Sequence, residues 1–596
     1  MPTYAAPVRD YQFVLHEMLH LDRYANLPGF ADATPDLIDA IIEEGGKFVS
    51  EVIQPLNQVG DSEGCTWNDG EVTTPTGFKD AYKAYCEGGW NGLTADPDYG
   101  GQGLPHVLGL VFSEMMSSAN MAFGMYPGLT HGAYEAIHRW GSDEQKQLYL
   151  PKMVTGEWTG TMNLTEPHCG TDLGLLRTKA EPQDDGTYKI SGTKIFISAG
   201  EHDMSDNIVH LVLAKIPGGP EGVRGISLFI VPKFIPDADG NPGERNGVSC
   251  GSIEHKMGIH GNSTCVLNYD EATGWLIGDA HRGLQAMFTM MNAARLGVGI
   301  QGLAQAEVAY QNAVTYARDR VQGRSISGTK TPDRPADPII VHPDVRRMLM
   351  TIKSFTEGAR ALSLWIGLNI DLAAKHPDER QRRDADDLAA LLTPVIKGYL
   401  TDVGFESTVT AMQCYGGHGY IHEWGMEQFV RDARIAQIYE GANGIQALDL
   451  VGRKLSAHMG RSLRQFFHPV DAFIQENAAD AGLKDYVMPL ARAFARLQQA
   501  TTHIATEGMK SPDEAGAASS DYLRLFGLVA LAFMWAQMAK EAQAKLADGA
   551  GDKAFYENKL KTGRFFMERV LPETSSLQQK ISAGGASMMA LDEDAF

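Results

Sequence analysis

The stretch Tyr188-Lys189-Ile190-Ser191-Gly192-Thr193-Lys194-Ile195-Phe196-Ile197-Ser198 decides how this chain is put together. It alternates apolar and polar positions, the period-2 pattern of a half-buried strand, and the glycine near its middle points to a hairpin. Ile208 to Ile216, Gly225 to Pro232 and Cys265 to Tyr269 supply further β-rich runs, separated by Gly, Pro and Asn. Residues 161–282 therefore read as a small β domain.

On both sides of it the period is helical. Upstream, Leu37, Ile38, Ile41, Ile42 and then Phe48, Val49, Val52, Ile53 recur at helical spacing, with Pro55 expected to stop the run. His106 to Ser118 and Thr130 to Trp140 form a second helical part. Downstream, Met287, Met290, Met291, Leu296, Val298, Ile300 and Leu303 mark a long core helix reaching Arg320, its methionines serving as adaptable packing. The polar stretch Ser325 to Asp337 reads as a loop, helices follow at 342–376 and 384–412, and a helical tail runs to the end. The expected fold is mainly α with a central β domain: a helical domain over 1–160, the β domain over 161–282, a helical bundle over 283–455 and a helical extension over 456–596.

The balance of 52 basic and 74 acidic side chains gives a net charge of −22, a field that repels nucleic acid and anionic membrane. An anionic ligand must then be met by local Arg, Lys or backbone N–H groups. Six cysteines without a CxxC pair fit free thiols in a reducing compartment. The N-terminal stretch has no basic segment followed by an apolar one. The most apolar run, Leu525 to Ala536, is shorter than the roughly 20 residues a membrane span needs. Cytoplasmic residence without a membrane span is the expectation. His16-Glu17-Met18-Leu19-His20 matches HExxH, but no third ligand is evident and no metal is expected. Gly101-Gln102-Gly103 lacks a preceding strand and is followed by Pro105, so it reads as a turn and not a dinucleotide fingerprint.

The chemistry centres on Ile438-Tyr439-Glu440-Gly441-Ala442-Asn443-Gly444-Ile445-Gln446. One carboxylate stands between an aromatic and a glycine at a helix entrance, in apolar surroundings upstream. Locally two readings are open: a helix-start Glu that favours the macrodipole, or a base made useful by desolvation.

Three more stretches join it: Met162-Asn163-Leu164-Thr165-Glu166-Pro167-His168-Cys169-Gly170-Thr171-Asp172, Phe196-Ile197-Ser198, and Met412-Gln413-Cys414-Tyr415-Gly416-Gly417. In order and spacing, over about residues 40 to 455, they resemble the acyl-CoA dehydrogenase flavoproteins. The resemblance implies that family's fold: a helical domain, a β-barrel or sandwich domain and a four-helix-bundle domain, here with a C-terminal extension. It implies FAD between the β domain and the second helical domain. Met162, Leu164 and Thr165 would line the flavin, and Phe196, Ile197 and Ser198 would pack against it from the next strand. Thr171 would lie near the pyrophosphate and the CoA arm. Arg320, Gln322, Gln413, Gly416 and Gly417 would hold the adenine half across a subunit boundary, which implies a homodimer or a dimer of dimers.

Asn292, Arg295 and Gly441 match acyl-CoA contacts. Glu440 matches the catalytic base, taking the α-proton while the β-hydride goes to flavin N5. The alternative base position of the family is Ala294 here, which cannot act as one. Glu166 belongs to the flavin loop and reads as structural. Departures are Ala442, where relatives carry a Thr that bonds FAD; His168-Cys169, in place of a small Gly-Ala pair; and Gln322-Gly323, one residue shorter than the usual form after Arg320. The N-terminal arm and the tail resemble the subgroup acting on 3-(methylthio)propanoyl-CoA in dimethylsulfoniopropionate demethylation, with electron-transfer flavoprotein as acceptor. The alternatives are a general short- or medium-chain dehydrogenase or an oxidase, and, remotely, a DNA-binding flavoprotein. The tail is expected to pack on the core.

Overall fold

The β-rich segment folds as a seven-stranded sheet. In this computed structural model, which describes residues 2–549 and 551–596, its strands are β1 (Trp158–Asn163), β2 (Lys179–Pro182), β3 (Tyr188–Ser198), β4 (Asn207–Lys215), β5 (Ile226–Pro232), β6 (Val248–Ile253) and β7 (Thr264–Ile277). They are ordered β6-β7-β3-β2-β4-β1, and β5 pairs with both β7 and β4. That double pairing closes β7, β3, β2, β4 and β5 into a ring, which removes their free edges. The hairpin expected at Gly192 does not form: β3 runs straight through it. A Cβ on Gly192 would come within 2.9 Å of Thr178 Cα, so the glycine serves close approach of two backbones instead of a turn.

β4 is covered on both faces. Val209, Leu211 and Leu213 pack with Tyr149, Trp158, Met287 and Met290, whereas Val212 and Ala214 pack with Ile190, Phe229 and Leu267. The alternation along one strand thus feeds two cores.

The main helices are α1 (Pro35–Phe48), α2 (His106–Trp140), α3 (Gly283–Asp319), α4 (Pro343–Lys375), α5 (Glu379–Cys414), α6 (Asn443–Asp449), α7 (Pro512–Ala547) and α8 (Lys553–Phe565). Pro55 does not stop the first helical run. It sits in a 3₁₀ turn (Gln54–Leu56) that leads into another helix, Asn57–Glu63, because a first-turn position has no need of the N–H that proline lacks. α2 breaks at Asn120 (φ −160°, ψ 96°), whose Oδ1 accepts from Phe123 N at 3.0 Å and so caps the continuation.

These elements sort into two compact units. One comprises Met1–Gly46, Pro105–Ser118 and Val298–Phe596; the other comprises Lys47–Leu104 and Ala119–Gly297 and contains the sheet. In the first, the tail packs tightly on the bundle: a Cβ on Gly527 of α7 would meet the Tyr399 ring at 2.2 Å, and Trp535 Nε1 donates to Ser354 O at 2.9 Å. The apolar run around Leu525 to Ala536 is longer as structure than as composition, lying within the 36 residues of α7. α5 and α7 are long and apolar enough to cross a bilayer, yet 78% and 89% of their most apolar windows are buried inside the protein.

Four carboxylates and two cations, Arg360 and Lys559, are buried together in this unit, with a third cation, the half-buried Lys353, at their edge. Arg360 pairs with Asp10, Glu114 and Glu307, Lys559 with Asp10 and Glu357, and Lys353 with Glu357. The HExxH residues belong to the same N-terminal arm. Phe13–Met18 is a π-helical turn, which spoils the α-helical spacing the zinc motif requires. His16 pairs with Asp39 at 2.8 Å, and Glu17 with Arg9 at 2.8 Å.

Candidate active site

The sequence-derived site residues fall into two groups, one in each unit. In the first unit the centre is the loop from Ile438 to Ala442. Glu440 (φ +55°) and Gly441 (φ +83°) are successive left-handed residues. Glycine adopts that conformation freely, whereas for glutamate it costs about 1–2 kcal/mol, so the surroundings must hold it. They do so through the carbonyls. Lys397 Nζ, on α5, donates to Gly441 O at 2.7 Å and to Asn443 Oδ1 at 2.8 Å. Gln446 Nε2 reaches Glu440 O at 3.2 Å and Gly441 O at 3.4 Å. Asn443 Nδ2 lies within bonding distance of Gly398 O, Thr401 Oγ1 and Asp402 Oδ1, at 3.1, 2.9 and 2.7 Å. Ala442 occupies the N-cap of α6 and makes no side-chain cap, so these donors do the fastening that a capping hydroxyl would share.

The Glu440 side chain is left half-buried, and Tyr439 before it donates its hydroxyl to Gln301. Burial, and after it the Glu440 charge, hold the Tyr439 phenol well above the usual range, so it remains a neutral donor.

Arg320, Gln322, Gln413, Gly416 and Gly417 are exposed in the same unit. The turn after α5 rests on an aromatic stack: Tyr316 on Tyr415 at 4.0 Å, and His418 on Trp424 at 4.5 Å, with Tyr316 Oη and His418 Nδ1 2.9 Å apart. A Cβ on Gly416 or Gly417 would meet nothing within 4 Å, which leaves the turn's backbone open to a ligand. The loop after Arg320 is organised by Asp337. Its carboxylate accepts from Ser325 N, Lys330 N, Thr331 N and Thr331 Oγ1, and these bonds hold it well below the usual range.

In the second unit, the loop following β1 lies beside the end of β3: Ile195 N donates to Thr165 O at 2.9 Å. Met162 and Leu164 are half-buried against one core, and Thr165 and Ser198 are half-buried. Phe196 is left-handed (φ +60°) and 58% exposed, an aromatic face turned outward at a backbone cost. Ile197 next to it is 2% exposed with its side chain in the sheet core, so only its backbone is available to a ligand; alternation along the strand dictates this. Thr171 is exposed. On α3, Asn292 and Arg295 lie one turn apart, with Ala294 beside them.

Glu166 is committed to the protein's own donors. It is 3% exposed and accepts from Arg177 N, Thr178 N, Thr178 Oγ1 and Lys194 Nζ, the last at 2.9 Å. Lys194, 0% exposed, also donates to Leu164 O at 3.0 Å. Burial pushes Glu166 up, but Lys194 and the other donors outweigh it and leave the carboxyl below its usual range. Glu166 and Cys169 exchange backbone bonds of 2.9 and 3.0 Å, so Pro167-His168 forms the tip of a tight turn that Cys169 closes with its thiol packed inward. Donor atoms of Glu166, His168 and Cys169 lie within 4.8 Å of one another, but a cation arriving there meets the Lys194 ammonium and an already committed carboxylate. Sequence reasoning missed Lys194, Lys397, Asn443 and Gln446 as supports. Only a buried position for a charged residue would have signalled them, and burial is not written in local sequence.

In the sheet-containing unit, the outward Phe196 ring beside the hydroxyls of Thr165 and Ser198 suits a flat ring system. In the helical unit, taken by itself, the open glycine turn and the exposed Arg320 and Gln322 suit a polar, anionic group. Residues 39–157, 161–272 and 281–455 match the families described as acyl-CoA dehydrogenase N-terminal, middle and C-terminal domains, and residues 466–592 match "acetyl-CoA dehydrogenase C-terminal like". The chain belongs to the acyl-CoA dehydrogenase family and is an FAD-dependent oxidoreductase of acyl-CoA thioesters. It is 44% identical over 588 residues to 3-methylmercaptopropionyl-CoA dehydrogenase of Ruegeria pomeroyi, covering 98% of this chain and 99% of that protein. A butyryl-CoA dehydrogenase of Syntrophomonas wolfei is 35% identical, covering 100% and 99% respectively. The fold is shared with an acyl-CoA dehydrogenase from Bacillus anthracis solved with FAD, at a TM-score of 0.73 and 22% identity over 92% of this chain and 88% of that one.

Proposed function

We propose that the enzyme oxidises 3-(methylthio)propanoyl-CoA to 3-(methylthio)acryloyl-CoA, a step of dimethylsulfoniopropionate demethylation, with Glu440 as the base. The observation that supports this substrate is the 44% identity, end to end, with a dehydrogenase named for it. Glu440 takes the α-proton, and the Glu440 N–H donates to the thioester oxygen, where charge develops. Asn292, Arg295, Thr171 and Gly441 hold the acyl-CoA. Met162, Leu164, Thr165, Thr171, Phe196, Ser198 and the Ile197 backbone hold the ring end of FAD. Arg320, Gln322, Gln413, Gly416, Gly417 and the Ala442 backbone hold the rest. When bound, FAD supplies the acceptor for the hydride leaving the β-carbon. Electron-transfer flavoprotein takes the electrons onward. The enzyme works in the cytoplasm as a homodimer or dimer of dimers.

The test is the visible spectrum of the enzyme during anaerobic addition of acyl-CoA. Bleaching is expected with 3-(methylthio)propanoyl-CoA at a higher rate than with butanoyl-CoA. Equal rates would make it a general short-chain dehydrogenase, the reading favoured by the Syntrophomonas relative; a thioether and a methylene differ little in size, so the ratio is modest. Glu440→Gln is expected to keep FAD and bind acyl-CoA, yet reduce flavin on the order of 10²-fold more slowly. Reduction at the parent rate would move the base elsewhere.

A further inference from the structure

Lys397 is 0% exposed. It lies in the middle of α5, far in sequence from the 438–442 loop, and the family resemblance assigns it nothing. Taking an ammonium wholly out of water is costly, so its place must be held by the bonds it makes. Two of those bonds go to the carbonyl of Gly441 and the side-chain oxygen of Asn443, the residues that close the loop immediately after Glu440. We propose that Lys397 is a positioning residue for the base: through Gly441 O and Asn443 it keeps Glu440 in its left-handed conformation and so aims both the carboxylate and the Glu440 N–H.

Three features carry this. Two successive left-handed residues, one of them not glycine, carry a backbone cost and persist only where the peptides around them are fixed. The Gly441 carbonyl accepts a charged donor at 2.7 Å, whereas its other donor, Gln446, stands at 3.4 Å, so Lys397 is the stronger anchor. Ala442 cannot cap α6 with its side chain, so the start of that helix depends on the same anchor. With Lys397 gone, Glu440 is free to return to the commoner backbone region. A displacement of about 1 Å in a reacting group is enough to cost on the order of 10²-fold in rate.

The inference rests on Glu440 being the base, and its test separates the two. Parent, Lys397→Met, Asn443→Ala and Glu440→Gln, each loaded with FAD, are mixed anaerobically with increasing butanoyl-CoA and 3-(methylthio)propanoyl-CoA. The limiting rate of flavin bleaching and the half-saturating concentration are read together. For Lys397→Met the limiting rate is expected to fall 10- to 100-fold with half-saturation within threefold, because methionine keeps the packing and removes only the donor. A fall of less than fivefold, or one no larger than the change in half-saturation, overturns the proposal. If Lys397→Met does not yield folded, FAD-loaded protein, Asn443→Ala decides by the same criterion, since it removes the other end of the anchor from a half-buried position. Parent-like bleaching in Glu440→Gln would instead remove the base assignment, whatever the lysine variants do.

Discussion

Lys194 and Lys397 are both fully buried, and each grips a backbone carbonyl in a loop that carries site residues, yet they are held differently. Lys194 closes on the carboxylate of Glu166 in the sheet-containing unit; Lys397 spreads over a carbonyl and an amide oxygen in the helical unit. A buried ion pair is a structural bolt, because losing one partner strands the other's charge. A cation bonded to oxygens of a loop, as Lys397 is to Gly441 O and Asn443 Oδ1, fixes the direction of that loop. The loop of Leu164 to Cys169 is thus bolted, and the loop of Glu440 is aimed.

Breaking the bolt has the largest expected effect. Lys194→Met takes from the buried Glu166 carboxylate its Lys194 partner and should cost about 3–5 kcal/mol, read as a lower urea midpoint together with loss of bound FAD. Combining it with Glu166→Gln, which still accepts from Arg177 N and Thr178, is expected to recover at least half of that loss. No recovery would mean that Lys194 works through Leu164 alone.

Acidity sharpens the contrast between the units. Burial, and after it the Lys233 charge, hold His202 and His210 of the sheet-containing unit at about 3, against 6.5 for a free imidazole. Between those values the unfolded chain binds protons that the folded chain refuses. Their contribution is therefore present above pH 6.5 and lost as pH falls towards 3. Melting temperature should decline from pH 7 to pH 5, and less steeply in His210→Gln, whose amide can still meet Thr161 Oγ1.

Glu114 of the helical unit has the opposite sign. Burial is the main cause, only partly offset by Arg360, and it raises the carboxyl from 4.5 to about 7. Here the folded state keeps the proton longer, so the contribution is present below pH 4.5 and is lost as pH rises through 7. Four carboxylates share three cations there, so Glu114→Gln removes the surplus charge. It is expected to leave stability at pH 5 within about 1 kcal/mol of the parent and to raise it at pH 8, the smallest of these effects. A variant less stable at pH 8 than at pH 5 would show that the excess lies on another carboxylate.

Much of this was legible in the chain. The period-2 run of β3 set between helical periods gave the order of architecture, and the four motifs gave the family, because those depend on residues close in sequence. Gly192 and Pro55 were misjudged for one reason: both are usual breakers, and their effect depends on what lies opposite. Thr178 approaches one, and the other stands at a first turn where no N–H is missed. The HExxH spacing, which was not taken as a metal site, falls in a π turn that changes which side chains share a face.

The sequence by itself determined the alternation of helical and β segments and the family, and it nominated Glu440 as the base, since local periodicity and motif spacing survive without coordinates. Only the tertiary structure decided what holds that carboxylate. Lys397 and Gly441 are 44 positions apart, and a buried ammonium is placed by desolvation and distant partners, which no local pattern records.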